Sequence, residues 1–92
     1  MLPVRLKTAR LSANLTQEKL GVLAGIEEAT ARSRISQYES GIHRPTFEMM
    51  CAFAKVLNVP ECYFYTVDDD FAQAVLDLHT QWAKGSTVNK AR

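Results

Sequence analysis

Cysteines and long apolar runs are scarce in this chain of 92 residues. Its two cysteines are too few for a disulfide scaffold, and we expect both to be reduced. No apolar run approaches the roughly 20 residues that span a bilayer, and the first residues lack the apolar stretch of a signal peptide. These absences predict a soluble cytoplasmic protein without a membrane partner.

Residues that could carry catalysis or hold a metal are also sparse. His43 and His79 are far apart in the sequence and show no evident pairing with a thiol at metal-ligand spacing. Neither histidine neighbours a serine or cysteine in a recognisable nucleophilic arrangement, and no glycine-rich loop offers to cradle a phosphate. We therefore predict no metal, no cofactor, no small-molecule ligand and no enzymatic activity.

The charge balance is uneven along the chain, although the net charge is only +1. Residues 1–46 carry seven Lys/Arg against four Glu, whereas residues 47–80 carry one Lys against six acids. A basic front half can face a polyanion while the acidic back half stays in solvent. The chain length fits a single domain with a small core, which a partner subunit could stabilise further.

Apolar residues recur at helical spacing almost throughout, without the alternation of half-buried strands, so the sequence predicts an all-α fold. Thr16 and Thr46 are suited to cap helix starts, and Gly25 and Gly41 to end helices. The expected helices cover residues 2–12, 17–24, 27–40, 47–57, 60–64 and 69–83. The side chains expected in the core are Val4, Leu6, Leu11, Leu20, Leu23, Ala24, Ala31, Ile35, Tyr38, Phe47, Met50, Cys51, Ala54 and Leu57.

The third helix has two different faces when its residues are projected at 100° per residue. Ala31, Ile35 and Tyr38 cluster within about 60° and predict an inward stripe. The opposite side carries short polar groups, an amide and a guanidinium instead of alternating Lys and Glu, which is typical of a surface that contacts a partner. This outer face consists of Arg32, Ser33, Ser36, Gln37 and Ser40.

Three motifs in fixed order resemble the phage repressor/Cro-type, or Xre-type, helix-turn-helix family. They are Leu-Thr-Gln-Glu at 15–18, Ile-Ser-Gln-Tyr-Glu-Ser-Gly at 35–41 and Arg-Pro at 44–45. The resemblance covers residues 5–65. It implies a compact five-helix, lambda-repressor-like bundle over residues 1–66 that binds double-stranded DNA, usually as a homodimer. The helix at 67–84 is additional to that bundle, and residues 85–92 are expected to form a flexible tail.

The resemblance also implies roles for individual residues, because in such proteins the third helix lies in the major groove. Base edges would be read by Arg32, Ser33, Ser36 and Gln37. Phosphates would be contacted by Gln17, Arg34, His43 and Arg44. Arg10 and Glu39 would form a partly buried ion pair between the first and third helices.

The sequence departs from the family pattern between Gly25 and Ile35, where it has about four residues more than usual. Because one helical turn takes 3.6 residues, an extra turn at the start of the third helix would preserve which side chains face outward. A longer loop is the alternative. The departure concerns residues 29–32 and leaves Ser33, Ser36 and Gln37 unaffected.

The last helix carries a single apolar stripe of Phe71, Val75, Leu78 and Trp82. Two interpretations stay open, namely packing against its own domain and forming a dimer interface. The overall prediction is a sequence-specific transcription regulator, most simply a repressor, that reads DNA with the helix around residues 28–40. The alternative is a protein-interaction module, or an antitoxin-like partner, built on the same scaffold.

Overall fold

The computed structural model describes residues 1–89, with side chains through Lys84. Every regular element in this range is a helix, which confirms the predicted all-α class. The helices are α1 (Pro3–Ser12), α2 (Gln17–Leu23), α3 (Glu28–Glu39), α4 (Phe47–Leu57), a short 3-10 helix (Glu61–Tyr65) and α5 (Asp69–Asn89). None of the helices in the described range is both long and apolar enough to cross a membrane.

Side chains cap three of the helix starts. The Thr16 hydroxyl accepts the backbone N–H of Lys19 at 3.0 Å, and Thr46 accepts that of Met49 at 3.1 Å. Asp68 caps α5, since its carboxylate accepts the Phe71 N–H at 2.8 Å. These bonds satisfy backbone donors that lack a partner inside the helix, and so they fix where each helix begins.

The turn between α2 and α3 is a Schellman motif centred on Gly25. Gly25 has a φ of +97°, a left-handed conformation that glycine adopts without steric cost. The Ile26 N–H donates to the Gly21 carbonyl at 2.9 Å, and the Gly25 N–H donates to that of Val22 at 3.0 Å. Ile26 is buried directly after the turn, and its packing in the core fixes the backbone just before α3 begins.

The core lies among α1, α2, α3, α4 and the 3-10 helix. It contains Leu6, Leu20, Ala31, Ile35, Tyr38, Met50, Ala54 and Leu57, as expected, and also Phe53, Tyr63 and Phe64. Ala24 and Cys51, which were expected inside, are half-buried.

Four side chains expected in the core are instead exposed, namely Val4, Leu11, Leu23 and Phe47. On α1 the reason is angular, because Leu11 is five residues from Leu6 and lies about 140° away around the helix. Phe47 occupies the first turn of α4 and is 61% exposed, whereas Phe53 takes the buried place. The buried stripe of α4 is therefore rotated towards Phe53.

Arg5 fastens α1 to the segment that leads into α5. Its Nε and Nη2 atoms each donate at 3.0 Å, to the carbonyls of Thr66 and Val67 respectively. The guanidinium also lies 5.7 Å from the Tyr63 ring centre and 2.9 Å from an Asp69 carboxylate oxygen. A buried arginine thus satisfies loop carbonyls that no helix would pair.

The last helix is longer than the sequence predicted. Its backbone continues to Asn89, beyond the expected end near residue 83. Gly85 costs a helix only about 1 kcal/mol, and no proline interrupts this stretch, so the helix can run through it. Residues 85–89 of the expected tail are therefore helical, and residues 90–92 lie outside the described part of the chain.

Candidate nucleic-acid interface

The two edges of α3 differ sharply in solvent exposure. Ala31 and Ile35 are fully buried against the rest of the bundle. On the other edge Arg32, Ser33 and Ser36 are exposed. Gln37, expected on the same edge, is half-buried at the flank of the helix. The helix is therefore packed through its apolar edge, and its polar edge is open at Arg32, Ser33 and Ser36.

The open edge of α3 faces the start of α2 across a cleft of about 450 Å³. Arg32 also borders a second opening of about 470 Å³, beside Thr16 and Glu18. The cleft is lined by Gln17, Ala29, Arg32, Ser33 and Ser36. Three of the four residues predicted to read bases thus lie on one concave surface with Gln17, which was predicted to contact a phosphate.

A largely buried ion pair lies behind this surface. The Arg10 Nε is 2.6 Å from one oxygen of Glu39, and its Nη2 is 3.0 Å from the other, so the contact is bidentate. The third donor, Nη1, bonds the Leu15 carbonyl at 2.9 Å. The pair joins α1 to the end of α3 and to the loop before α2, and planar guanidinium geometry suits all three contacts at once.

Gln17 is held by the same pair. Its amide Nε2 donates to a Glu39 oxygen at 3.2 Å, so the side chain is directed by the ion pair at the base of the cleft. The sequence did not predict this contact. It links the ion pair to the surface, because Glu39 orients Arg10 and Gln17 together.

Arg34 lies away from the cleft, on the flank of α3 opposite Arg32. Its Nη2 donates to the Tyr38 hydroxyl at 2.6 Å, and its guanidinium carbon is 5.7 Å from the centre of that ring. Tyr38 is buried and packs edge-on against Phe53 at 6.0 Å. An exposed cation is therefore positioned by a rigid core residue one helical turn away.

His43 and Arg44 follow α3 in an exposed loop. The loop folds back on the helix, because the Ile42 and His43 N–H groups donate to the Gln37 carbonyl at 3.0 and 3.3 Å. Gly41, with a φ of +79°, makes this reversal possible. Arg44 is thus placed just beyond the end of α3.

The additional residues of this sequence lengthen α3 rather than the turn. The helix begins at Glu28, and only residues 24–27 connect it to α2. Of the two possibilities that the sequence left open, the extra helical turn is the one observed. Ala29 and Arg32 belong to this part of the helix, and both line the cleft.

Gly21 is a structural residue of the site that the sequence reading missed. A Cβ atom on Gly21 would lie 2.7 Å from the Cβ of Ala31 and 3.1 Å from its Cα. Real Cβ atoms do not approach so closely, so α2 and α3 pack at this distance only because Gly21 has no side chain. A glycine inside a helical pattern was the available signal.

Two helices joined by a glycine turn, with a polar open edge on the second, define a helix-turn-helix protein. Residues 6–64 match the family described as Helix-turn-helix, and the chain belongs to that family. Among solved structures, the crystal structure of transcriptional regulator BswR is similar to this chain, with 35% identity and a TM-score of 0.85. The similarity covers 99% of this chain and 93% of that one, so it includes α5. No curated protein sequence matches.

Proposed function

We propose that this DNA-binding transcription regulator is a sequence-specific repressor that reads the major groove with α3. The observation that carries the proposal is the open edge of Arg32, Ser33 and Ser36 on a helix whose other edge is fully buried. A major groove about 12 Å wide admits one α-helix, so an exposed polar edge on a firmly seated helix fits it.

The side chains on this edge have the chemistry for base recognition. Arg32 can donate two hydrogen bonds to guanine O6 and N7, and Gln37 can pair with adenine N6 and N7. Ser33 and Ser36 can donate or accept, which suits either kind of base. Each good bidentate contact discriminates against a wrong base by about 1–3 kcal/mol.

Phosphate contacts would hold α3 in register from the helix before it and from the loop after it. Gln17, at the start of α2, is oriented by Glu39, and His43 and Arg44 lie in the exposed loop that follows α3. Arg34 adds a cation on the flank. Such contacts supply affinity and orientation without sequence information. The basic balance of residues 1–46 supports the same arrangement.

We further propose that the protein acts as a homodimer on a near-palindromic operator, and that it represses by covering a promoter. Two recognition helices related by a two-fold axis would enter successive major grooves about 34 Å apart. Two half-sites would then contribute to one binding event, which raises affinity beyond that of a single domain.

The direct test is a selection of bound sequences from a random duplex library with the purified full chain. We expect an enriched half-site, repeated about one helical turn away in inverted orientation. Log affinity for the selected site should fall linearly with log salt, with a slope of about −0.9 per phosphate contacted. Absence of enrichment together with absence of salt-sensitive binding would contradict the proposal.

A matched pair of variants separates the proposed surface from a general charge effect. Ser36→Glu places a negative charge on the open edge of α3 and should abolish binding. Thr8→Glu makes the same change of charge at an exposed position of α1 and should leave most of the affinity intact. Equal losses in the two variants would show that α3 does not face the DNA.

A second candidate function is a protein-interaction module, and the exposed apolar side chains of α5 favour it. Phe71, Leu78 and Trp82 could enter a groove of a protein partner, as an antitoxin-like role would require. Purification from the native host distinguishes the candidates. Elution of the chain alone would remove the support for this alternative.

A further inference from the structure

One edge of α5 exposes three large apolar side chains. Phe71 and Leu78 are each 62% exposed and Trp82 is 66% exposed. With about 150–250 Å² on each aromatic side chain, these residues form a patch of a few hundred Å². Patches of that size on monomers commonly mark an interaction surface.

The helix meets its own domain with a different face. Ala72 is buried, and Val75 and Leu76 are half-buried against the core. At 100° per residue Ala72 and Leu76 lie about 100–140° from Phe71 and Val75 about 40° from it, whereas Leu78 and Trp82 lie within about 20° of it. Intramolecular packing therefore covers one side of α5 up to Val75 and leaves the neighbouring edge, with Phe71, Leu78 and Trp82, uncovered.

The spacing along the uncovered edge is symmetric. The stripe of Phe71, Val75, Leu78 and Trp82 has steps of four, three and four residues. Because this order of steps is the same from either end of the helix, the apolar side chains of two antiparallel copies lie at the same heights and face one another. Steps of three and four residues are also the spacing of a coiled-coil seam.

We propose that α5 pairs with α5 of a second copy in antiparallel orientation, about a two-fold axis between Leu76 and Asp77. Phe71 of each copy then packs on Trp82 of the other, and Val75 packs on Leu78. Val75, Leu78 and Trp82 already border an apolar groove of about 230 Å³, together with Pro60, Cys62 and His79. In this pairing the Phe71 ring of the second copy would lie at the Trp82 end of the groove.

The charges on α5 favour a second copy in this orientation. Asp70 is exposed at the start of the helix and Lys84 is exposed near the other end of the stripe, whereas Asp69 pairs with Arg5 of its own domain. Antiparallel pairing brings Asp70 of each copy beside Lys84 of the other. Parallel pairing would set like charges side by side. The positions that flank the stripe on the solvent side, Ala74 and Gln81, are small or neutral and allow close approach.

The pairing supplies the partner that the proposed operator symmetry requires, and in that respect it rests on the proposed function. The contact itself uses no residue of the cleft between α2 and α3. Oligomeric state in the absence of DNA therefore tests the pairing, and DNA selection tests the function.

The experiment compares three full-length proteins by sedimentation equilibrium without DNA, namely the wild type, Leu78→Asp and Thr80→Asp. The wild type and Thr80→Asp should dimerise, since Thr80 is exposed on the far side of α5. Leu78→Asp should weaken the dimer at least 100-fold and keep its helical circular dichroism. A monomeric wild type at about 0.5 mM, or equal weakening in both variants, overturns the pairing.

Trp82 is the only tryptophan of the chain, so its fluorescence reports directly on the contact. Its emission should shift to the blue as the wild type is concentrated, and the shift should be absent in Leu78→Asp. Emission that stays at the solvent-exposed wavelength in a dimer would show that the copies meet elsewhere and would overturn the proposal.

Charge reversal determines the orientation of the two helices. Lys84→Asp should weaken the dimer several-fold, and the addition of Asp70→Lys should restore it. A parallel pair would respond little to either change, because each substitution would only exchange one pair of facing like charges for another. Enrichment of a single half-site by a monomeric wild type would contradict the pairing while leaving DNA recognition intact.

Discussion

Gly21 and Ala31 face each other across the helix-turn-helix so closely that a methyl group on Gly21 would come within 2.7 Å of the Ala31 Cβ. The helices α2 and α3 form the most extensive helix contact of the described chain. The absence of one side chain therefore sets how closely α3, the helix proposed to face the DNA, is held against α2. A substitution at this position should displace the open edge of α3 through the backbone.

Gly21→Ala should lower the free energy of unfolding by up to about 2 kcal/mol. Alanine gains about 1 kcal/mol of helix propensity over glycine, but overpacking of a tight contact costs about 1–3 kcal/mol and also displaces α3. Urea denaturation measures the change. Adding Ala31→Gly should restore part of the loss, and a Gly21→Ala protein more stable than the wild type would show that the contact relaxes freely.

The Arg10–Glu39 pair should contribute strongly, because both side chains are largely buried. Removing one partner, as in Glu39→Ala, should cost about 3–5 kcal/mol, since it leaves the charge of Arg10 uncompensated. The double variant Arg10→Met/Glu39→Leu should cost less than the sum of its single changes. A double-mutant cycle in urea measures this coupling, and additive effects would contradict it.

The sequence predicted the helices well because periodicity and end signals agree along most of the chain. Thr16, Thr46 and Gly25 act as the sequence indicated, and the buried edge of α3 was recognised from its spacing. The residues opposite that edge predicted a polar surface open to a partner, and Arg32, Ser33 and Ser36 are exposed there. These features depend on local sequence, which is why a single chain is enough to predict them.

The errors concern properties that depend on neighbouring helices. Spacing alone could not tell that Phe47 is exposed while Phe53 is fully buried in the core. It also gave no reason to bury a charged Arg5, whose partners are carbonyls about sixty residues away. Tertiary contacts decide both cases, and no local pattern encodes them.

Gln37→Ala and Arg44→Ala should differ in how they weaken DNA binding. Loss of a base-reading amide should relax preference at one base position by about 1–3 kcal/mol. Loss of a phosphate contact should weaken binding equally for all sequences and reduce the salt slope by about one unit. Binding measurements with a set of single-base operator variants distinguish the patterns. If Gln37→Ala weakened binding uniformly and Arg44→Ala relaxed preference at one base, Arg44 would read bases and Gln37 would contact a phosphate.

Arg5 should matter more for stability than the ion pair that it makes. Arg5→Met removes both bonds to the Thr66 and Val67 carbonyls and should cost about 2–3 kcal/mol, since two part-buried hydrogen bonds from a buried charged donor are lost. Asp69→Asn should be nearly neutral, because the Asp69 side chain is 91% exposed and water screens its charge. Thermal melting compares the two, and hydrogen exchange at residues 65–70 should accelerate only in Arg5→Met. Similar losses of stability in both variants would indicate that Arg5 stabilises the fold mainly through its ion pair with Asp69.

Tyr38→Phe tests whether Arg34 acts on DNA through a fixed position. The ring stays packed on Phe53, so only the hydroxyl that accepts the Arg34 bond is lost, at a cost of about 0.5–1.5 kcal/mol in stability. Because the cation remains but is no longer held, affinity should fall uniformly over operator variants while the salt slope is unchanged. Arg34→Ala removes the cation itself and should reduce the slope by about 0.9 as well. Titrations at several salt concentrations give both quantities. If Arg34→Ala left the affinity unchanged, Arg34 would have no role in DNA binding beyond its structural contact with Tyr38.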